Sequence, residues 1–326
     1  MTRRPLLGLL MGGASSMLLI AGCSNTAGSD TAITGGAWAT LTPATTGDSA
    51  PTVPGMVIYA SMYPAAETVT RVQGQVNSVG KVAATVDFAT AAQSIGKQLR
   101  PTIVIIGASP KAGTPIMAAD QRAAIDLPQK YLVWQAAGGT VFLGYNSADY
   151  IAERAGIDPS DPAINLLRAG SAAVAAKASG STAALANGDS PPAPGPYLVE
   201  QISNATVADS IARYEAAFAA KNQPTIAIVD HGAAAEDIGM SLRPTETTFL
   251  GNATVSTALV GAQQTMGIDL PVRYAAWQDQ LGLVHVAHPD IRALAARHQV
   301  TGEDAVLDMV TTAADGFNDA AASGAG

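Results

Sequence analysis

The sequence predicts an α+β fold made of two similar domains, each with a mainly antiparallel sheet of four or five strands packed by helices. The first observation is an internal repeat, since Ile125-Asp126-Leu127-Pro128 returns as Ile268-Asp269-Leu270-Pro271. Upstream, Leu99-Arg100-Pro101-Thr102 returns as Leu242-Arg243-Pro244-Thr245 at the same offset of 143 residues. The second observation is that short apolar runs between glycines and prolines alternate with apolar stripes of helical period. Together these observations indicate one α+β unit that has been duplicated.

Elements of the first domain follow from these patterns. Val69, Val72, Val76 and Val79 fall on one helical face after Pro64, which suits a helix start. Strands are predicted at 56–59, 82–88, 103–106, 127–135 and 140–145, the last two joined as a hairpin around two glycines. Further helices are predicted within 110–124, at 149–155 and at 162–177.

The second domain repeats this order. Strands are predicted at 197–199, 225–230, 246–249 and 283–287, and helices at 206–218, 291–298 and from Thr301 to Phe317. The third of these strands reads Glu246-Thr247-Thr248-Phe249 where the first domain has an apolar run. We therefore expect this strand to be more exposed than its counterpart.

Composition limits the classes of function. The chain has 326 residues, enough for two domains that each bury a core, and a formal net charge of −8. No cluster of Lys and Arg stands out beyond the N-terminus, so we expect no nucleic-acid partner, because phosphate binding needs a basic face. No phosphate-binding loop, nucleophile elbow or tight metal-ligand spacing occurs, and the sequence predicts no cofactor.

The N-terminus resembles a bacterial lipoprotein signal peptide. A basic start is followed by an apolar segment, Leu6–Ile20, and by Leu19-Ile20-Ala21-Gly22-Cys23, which has the form of a lipobox. The resemblance implies cleavage before Cys23, the single cysteine, and acylation of its thiol and new amino group. Such chains would anchor the protein to the extracytoplasmic face of the cell membrane. The alternative is an ordinary secretory signal with an accidental cysteine.

Composition and the repeat also predict the domain boundaries. The region after Cys23 is rich in Ser, Thr, Gly, Ala and Pro and cannot bury enough apolar surface to order itself. The predicted segments are a signal peptide at 1–22, a flexible tether at 23–54, a first domain at 55–178, a Pro-rich linker at 179–196, a second domain at 197–319 and a disordered tail at 320–326.

Both repeats resemble DUF302, a family of domains of unknown function, over roughly 55–157 and 198–300. The resemblance is carried by Arg-Pro-Thr before the third strand, the Asp-Leu-Pro segment, the following aromatic residue and glycine hairpin, Asp230-His231, Arg297-His298 and Tyr145-Asn146. It implies a small α+β domain with a layout similar to TATA-binding-protein-like folds, and it implies that two repeats pair as a pseudo-dimer. It brings no established activity.

The chain departs from the family pattern in both repeats. The first domain has Phe88 and Ala155 where the pattern has histidines, and the second has His288-Pro289 where the pattern has Tyr-Asn. Neither repeat holds a complete set. A site of this family would therefore be altered in each copy, unless the two copies complement one another at their interface.

The four histidines, His231, His285, His288 and His298, all lie in the second domain. Histidine is the commonest metal ligand and a proton carrier near neutral pH. If the strands that carry Asp230, His231 and His285 are close in the sheet, these side chains could converge on a metal or acid–base site. The alternative is that the histidines are ordinary structural residues.

Five charged residues of the repeated motifs are further candidates for binding. Asp126 and Asp269 could be catalytic carboxylates, or they could accept backbone N–H groups and fix the entrance of a strand. Arg100 and Arg243 could pair with the aspartate of their own repeat or bind an anion. Asp87 is a candidate because it occupies the position of Asp230 in the first repeat.

The sequence therefore predicts a lipid-anchored cell-envelope protein that acts as a non-enzymatic binding or interaction module. Its expected partners are the membrane, through lipidated Cys23, and a small ligand or an envelope protein. The alternative is a metal-dependent or acid–base enzyme whose site combines Asp230, His231, His285 and His298.

Overall fold

A computed structural model describes residues 48–188 and 197–324 of the chain. These residues form two antiparallel sheets with helices, one sheet in each repeat, and the fold is α+β with two similar domains. The predicted lipidation site, Cys23, lies outside the described residues.

The first repeat alternates strands and helices. Its strands are β1 Met56–Ala60, β2 Lys81–Asp87, β3 Thr102–Ala108, β4 Lys130–Gln135, β5 Val141–Asn146 and β6 Ala186–Asn187. Its helices are α1 Ala65–Val79, α2 Phe88–Ser94, α3 Pro110–Ala119, α4 Ala148–Ala155 and α5 Pro162–Ser179. A short 3-10 segment, Gln121–Ile125, leads into the Asp-Leu-Pro motif.

The second repeat follows the same plan. Its strands are β7 Leu198–Ser203, β8 Thr225–Asp230, β9 Thr245–Leu250, β10 Val272–Gln278 and β11 Val284–Pro289. Its helices are α6 Val207–Ala220, α7 His231–Glu236, α8 Ala253–Ala262, α9 Ile291–Arg297 and α10 Asp304–Ser323. Its 3-10 segment is Gln264–Ile268, and the Leu127-Pro128 and Leu270-Pro271 peptide bonds are both cis.

The two sheets have the same strand order. The first runs β2-β3-β4-β5-β1-β6 and the second runs β8-β9-β10-β11-β7, with antiparallel pairing throughout. Only β6 has no counterpart among the described residues. The predicted hairpin is confirmed, because β4 pairs with β5, and the second repeat has the same hairpin between β10 and β11.

The central strands of each sheet are covered on both faces, and every residue of β4 and β5 is buried. Alternate residues of β4 point to opposite faces. Tyr131 and Val133 pack with α1 and α5 of their own repeat, whereas Leu132 and Trp134 pack with Met266 and other residues of the second repeat. The packing is close: a Cβ added at Gly267 would lie 2.8 Å from Leu132 Cδ1.

The second sheet is covered in the reciprocal way. Tyr274 and Ala276 of β10 face the helices α6 and α10, while Ala275 and Trp277 pack with residues of the first repeat such as Ile125. Each 3-10 segment therefore lies on the sheet of the other repeat. This is the geometry of an isologous dimer joined into one chain.

Three predicted boundaries are wrong. The tether was expected to extend to residue 54, but Asp48 accepts hydrogen bonds from the N–H groups of Gly138 and Thr140, and Val53 is buried. The linker was expected to begin at 179, but 186–187 forms β6 at the edge of the first sheet. The tail was expected after residue 319, but α10 continues to Ser323, because its alanines are buried against the second repeat.

The expected exposure of β9 is also wrong. Thr247 and Thr248 are fully buried, because the first 3-10 segment covers one face of this strand and α6 covers the other. The Thr247 hydroxyl donates to the carbonyl oxygen of Ala124 at 3.0 Å, so a polar side chain is satisfied inside the core. A threonine-rich strand was mistaken for an exposed one because its partner lies in the other repeat.

Candidate functional site

A buried ion network surrounds the two Asp-Leu-Pro aspartates where the repeats meet. Asp126 Oδ1 accepts a hydrogen bond from Arg273 Nη2 and its Oδ2 accepts one from Arg154 Nε, both at 2.7 Å. Arg273 also donates to the carbonyl oxygens of Ile125 and Asp269. Arg273 belongs to the second repeat, so this ion pair crosses the junction between the repeats.

Asp269 holds the other half of the network. Its Oδ2 accepts hydrogen bonds from Arg297 Nη1 at 2.8 Å and from His298 Nε2 at 2.9 Å. Its Oδ1 lies 3.3 Å from Arg273 Nη2 and 3.9 Å from Lys130 Nζ. The expectation that these aspartates accept backbone N–H groups is wrong, since arginine and histidine side chains are their partners.

Both aspartates are held in the charged form. Burial by itself would raise the pKa of Asp126, but the charges of Arg154 and Arg273 outweigh it and lower the pKa. Burial also opposes ionisation of Asp269, but Arg297 and the hydrogen bond from His298 hold its pKa well below the usual value. Neither group is suited to exchange protons near neutral pH.

Two buried donors of the network have no hydrogen-bond partner among the described residues, Lys130 Nζ and Arg154 Nη2. Burial lowers the pKa of Lys130 to about 7, and the charge of Arg273 adds to this effect. The Arg154 guanidinium lies 4.1 Å from the centre of the Tyr197 ring, which favours its cationic form. The network thus combines two carboxylates with three arginines, Lys130 and His298.

The arginines of the Arg-Pro-Thr motifs do not pair with the aspartate of their own repeat, as one reading of the sequence expected. Arg100 donates to Gln264 Oε1 at 2.9 Å, and Arg243 donates to Gln121 Oε1 at 2.8 Å. Each glutamine also donates to the threonine of the Arg-Pro-Thr motif in the opposite repeat. Gln264 donates to Thr102, and Gln121 donates to Thr245. These reciprocal bonds fix each 3-10 segment on the neighbouring sheet.

The structure does not bring Asp230, His231 and His285 together. β8 and β11, which lead to these residues, are separated by β9 and β10. His285 instead lies between the carboxylates of Glu200 and Asp279, at 2.7 and 3.1 Å. No group of three His, Cys, Asp or Glu side chains within the described ranges could hold a metal ion.

The other two histidines are also separate and buried. His288 Nδ1 donates to the carbonyl oxygen of Pro289 at 2.9 Å, and its Nε2 faces Asp315. His298 Nδ1 accepts from the Thr265 hydroxyl, while its Nε2–H donates to Asp269. Their ring nitrogens are therefore used by the protein itself.

Asp87 and Asp230 occupy equivalent positions and have the same role. Asp87 accepts the N–H groups of Ala89 and Thr90 at the start of α2, and Asp230 accepts that of Ala233 at the start of α7. A carboxylate at a helix N-cap satisfies donors that the helix leaves unpaired. Both candidates are thus helix caps.

Two related grooves follow the junction between the repeats. One, of about 480 Å³, is lined by Phe88 and Leu270 among others, and the other, of about 340 Å³, has His231 and Leu127 at the corresponding positions. His231 Nε2 donates to the Thr247 hydroxyl, because that hydroxyl donates its own hydrogen to the carbonyl oxygen of Ala124. The Phe88–His231 difference therefore makes one groove more polar than the other.

His231 makes stability depend on pH. Burial lowers its pKa from 6.5 to about 4, against an opposing effect of Asp230. The unfolded chain therefore binds more protons between these values, and stability is complete above pH 6.5 and decreases as the pH falls to about 4. We expect His231→Gln, measured by urea unfolding across this range, to remove up to about 3 kcal/mol of that decrease. Equal pH slopes for both proteins would contradict this assignment.

The sequence interpretation missed Gln121, Lys130, Arg154 and their counterparts as members of the junction. A signal was present, because Gln121 and Gln264, Lys130 and Arg273, and Arg154 and Arg297 all keep the 143-residue offset. What the offset does not reveal is that Gln121, Lys130, Gln264 and Arg273 have partners in the other repeat.

Comparison with known proteins identifies the repeats. The model of DUF302, described as a domain of unknown function, matches residues 57–176 and again residues 199–317. A solved structure of an uncharacterized conserved DUF302 protein from Bacillus stearothermophilus is 11% identical. It matches with a TM-score of 0.36, covering 38% of this chain and 98% of that one.

Curated relatives match a shorter part of the chain. Proteins named fluoride-specific ion channel FluC 1 from Brucella suis and Brucella abortus are each 37% identical over 116 residues. The match takes in 35% of this chain and 46% and 43% of those proteins, so this chain spans less than half their length. Among residues 48–188 and 197–324, no helix has both the length and the apolar character needed to cross a bilayer.

Proposed function

We propose that this chain, which belongs to the DUF302 family, is a lipid-anchored binding module on the extracytoplasmic face of the cell membrane, with a body that does not catalyse a reaction. The anchor is supported by the lipobox that ends at Cys23. Fluoride-channel activity does not enter the proposal, because the matched residues are less than half of the relatives that carry that name.

The observation that carries the non-enzymatic role is the ion network at the junction. Each carboxylate oxygen of Asp126 and Asp269 forms an ion pair with an arginine side chain. The pKa values of both aspartates are lowered. A catalytic acid or base needs a pKa near the working pH and access to its substrate. These aspartates serve instead to hold the repeats together.

The alternative of an enzyme with a histidine site receives no support from the positions of the side chains. That alternative required Asp230, His231 and His285 to converge. The strands β9 and β10 instead separate His285 from the other two residues. A binding role is better supported, because the junction forms two grooves and the first repeat has a further pocket.

Replacement of the anchoring residue tests the location. We expect wild-type protein, expressed in a bacterium that processes lipoproteins, to sediment with membranes and to resist an alkaline wash. Cys23→Ala removes the thiol that accepts the diacylglyceryl group, so nearly all of this variant should appear in the soluble fraction. Ser24→Ala, one residue further on, is the matched control and should remain membrane-bound. Continued membrane association of the Cys23→Ala variant after cleavage would contradict the anchor.

A further inference from the structure

The first repeat contains a pocket of about 460 Å³ between α1, α5 and the sheet. Most of its wall area is apolar, with Val76, Val174 and Leu167 buried, Leu166 half exposed and Tyr131 on the sheet. Polar side chains such as Gln75, Ser78 and Gln129 line the remainder. The volume falls within the range of ordinary small-molecule sites, roughly 300–1,000 Å³.

The second repeat fills the same region with aromatic rings. The hydrogen-bonded pair Ser61–Thr68 corresponds to Ser203–Ser210, which aligns α1 with α6. By this alignment and the 143-residue offset, three valines of the first repeat replace three aromatic residues of the second, namely Val72 for Tyr214, Val76 for Phe218 and Val174 for Phe317. Val76 and Val174 line the pocket, which therefore lies where the first repeat has smaller side chains than the second.

The rings of the second repeat are in mutual contact, which shows how the space is occupied there. Phe218 and Phe317 pack edge to face with centroids 5.0 Å apart, and Tyr274 lies 5.1 Å from Phe218. Tyr274 corresponds to Tyr131. Tyr131 contacts one ring, that of Tyr145 with centroids 5.9 Å apart, and it also borders the pocket.

The charges that line this pocket differ from those of the two junction grooves, one of which has no charged residue while the other has Lys81 together with Asp230 and Asp237. Lys111 and Lys177 line it, no Asp or Glu does, and within 48–188 and 197–324 neither lysine makes an ion pair. Their counterparts in the second repeat are Thr254 and Ala320, which are uncharged. In a chain of net charge −8, two free lysines beside an apolar pocket favour an anionic ligand.

We propose that the first-repeat pocket binds a free fatty acid, with the acyl chain along Val76, Leu166 and Val174 and the carboxylate held by Lys111 and Lys177. This inference rests on the proposed binding function and names its ligand class. Apolar burial of the chain supplies most of the affinity, and the lysines select an anionic head group.

Calorimetric titration with sodium dodecanoate tests the proposal. The full chain carrying Cys23→Ala is used, because it cannot be acylated at residue 23 and needs no detergent. We expect one molecule of dodecanoate to bind each protein chain. Uncharged dodecanol should bind more weakly to the same site, because it gains no attraction from the lysines.

Variants that copy the second repeat locate the site. Val174→Phe restores a ring to the pocket and should weaken dodecanoate binding by about tenfold or more. Replacing both lysines, by Lys111→Thr and Lys177→Ala, should weaken dodecanoate binding roughly fivefold but leave dodecanol binding unchanged. Leu166→Glu, at a half-exposed position, should weaken dodecanoate binding without disturbing the core, with Leu166→Gln as its control.

Absence of saturable dodecanoate binding would overturn the proposal. It would also be overturned if the Val174→Phe and Leu166→Glu variants bound dodecanoate as tightly as the parent chain. If either result were found and the Cys23→Ala variant were absent from the membrane fraction, the fatty-acid ligand would be rejected while the lipid anchor would still be supported. Binding of dodecanoate by a chain whose Cys23→Ala variant stays on membranes would instead support the pocket and contradict the anchor.

Discussion

Replacement of Asp269 by asparagine should reduce the free energy of unfolding by about 3–5 kcal/mol. Asp269 is 1% exposed, and its carboxylate accepts hydrogen bonds from Arg297, His298 and Arg273. Lys130 Nζ lies 3.9 Å from the same carboxylate. Asparagine keeps the shape but removes the negative charge, so buried cations lose their counter-ion while their desolvation cost remains. The measurement is urea unfolding at pH 7, followed by circular dichroism.

The matched control for this variant is Asp149→Asn. Asp149 also pairs with an arginine, Arg168, at 2.5 Å, but its side chain is 56% exposed. Water screens such a pair and solvates the arginine when the pair is lost, so the unfolding midpoint should change little. Similar losses in the two variants would show that the junction network does not hold the repeats together.

Replacement of Phe218 by alanine should cost about 3–5 kcal/mol of unfolding free energy. Phe218 is fully buried, and its ring packs against Tyr214, Tyr274 and Phe317 with centroids 5.0–5.9 Å apart. Removing the ring loses its apolar burial and leaves a cavity that the surrounding rings cannot close. Thermal and urea unfolding of the purified variant measure the loss.

Val76→Ala is the control, because Val76 occupies the corresponding position in the first repeat. Valine loses two methyl groups rather than a ring, and Val76 already borders a pocket. Its replacement should therefore cost clearly less than that of Phe218. If Val76→Ala were the more damaging change, the view that the first repeat is the less filled copy would be wrong.

Much of the fold could be predicted from local patterns. Thr225–Asp230 was predicted as a strand and forms β8. Of the predicted valine stripe in α1, Val72 and Val76 are buried, whereas Val79 near the end of the helix is exposed. The helix α2 was not predicted, because its seven residues are mostly small and show no clear apolar period. Local spacing is informative only where a segment is long enough to show a period.

The candidate site could be predicted only in part. The repeat singled out Asp126 and Asp269, which do lie in the central ion network. The histidine site was predicted from strand ends, and it failed because the strand order was unknown. Arg100 and Arg243 were given partners in their own repeats, whereas each bonds to a glutamine of the other.

Duplication of one α+β unit can be recognised without coordinates, because periodicity and a constant offset are properties of the amino-acid order. The folded arrangement is needed to see that each repeat covers the other's sheet and that the two aspartates meet arginines there. Burial of a polar side chain depends on its partner, and Asp126 finds Arg273 across 147 positions of sequence. Whether a charge is exposed, catalytic or structural follows from that contact.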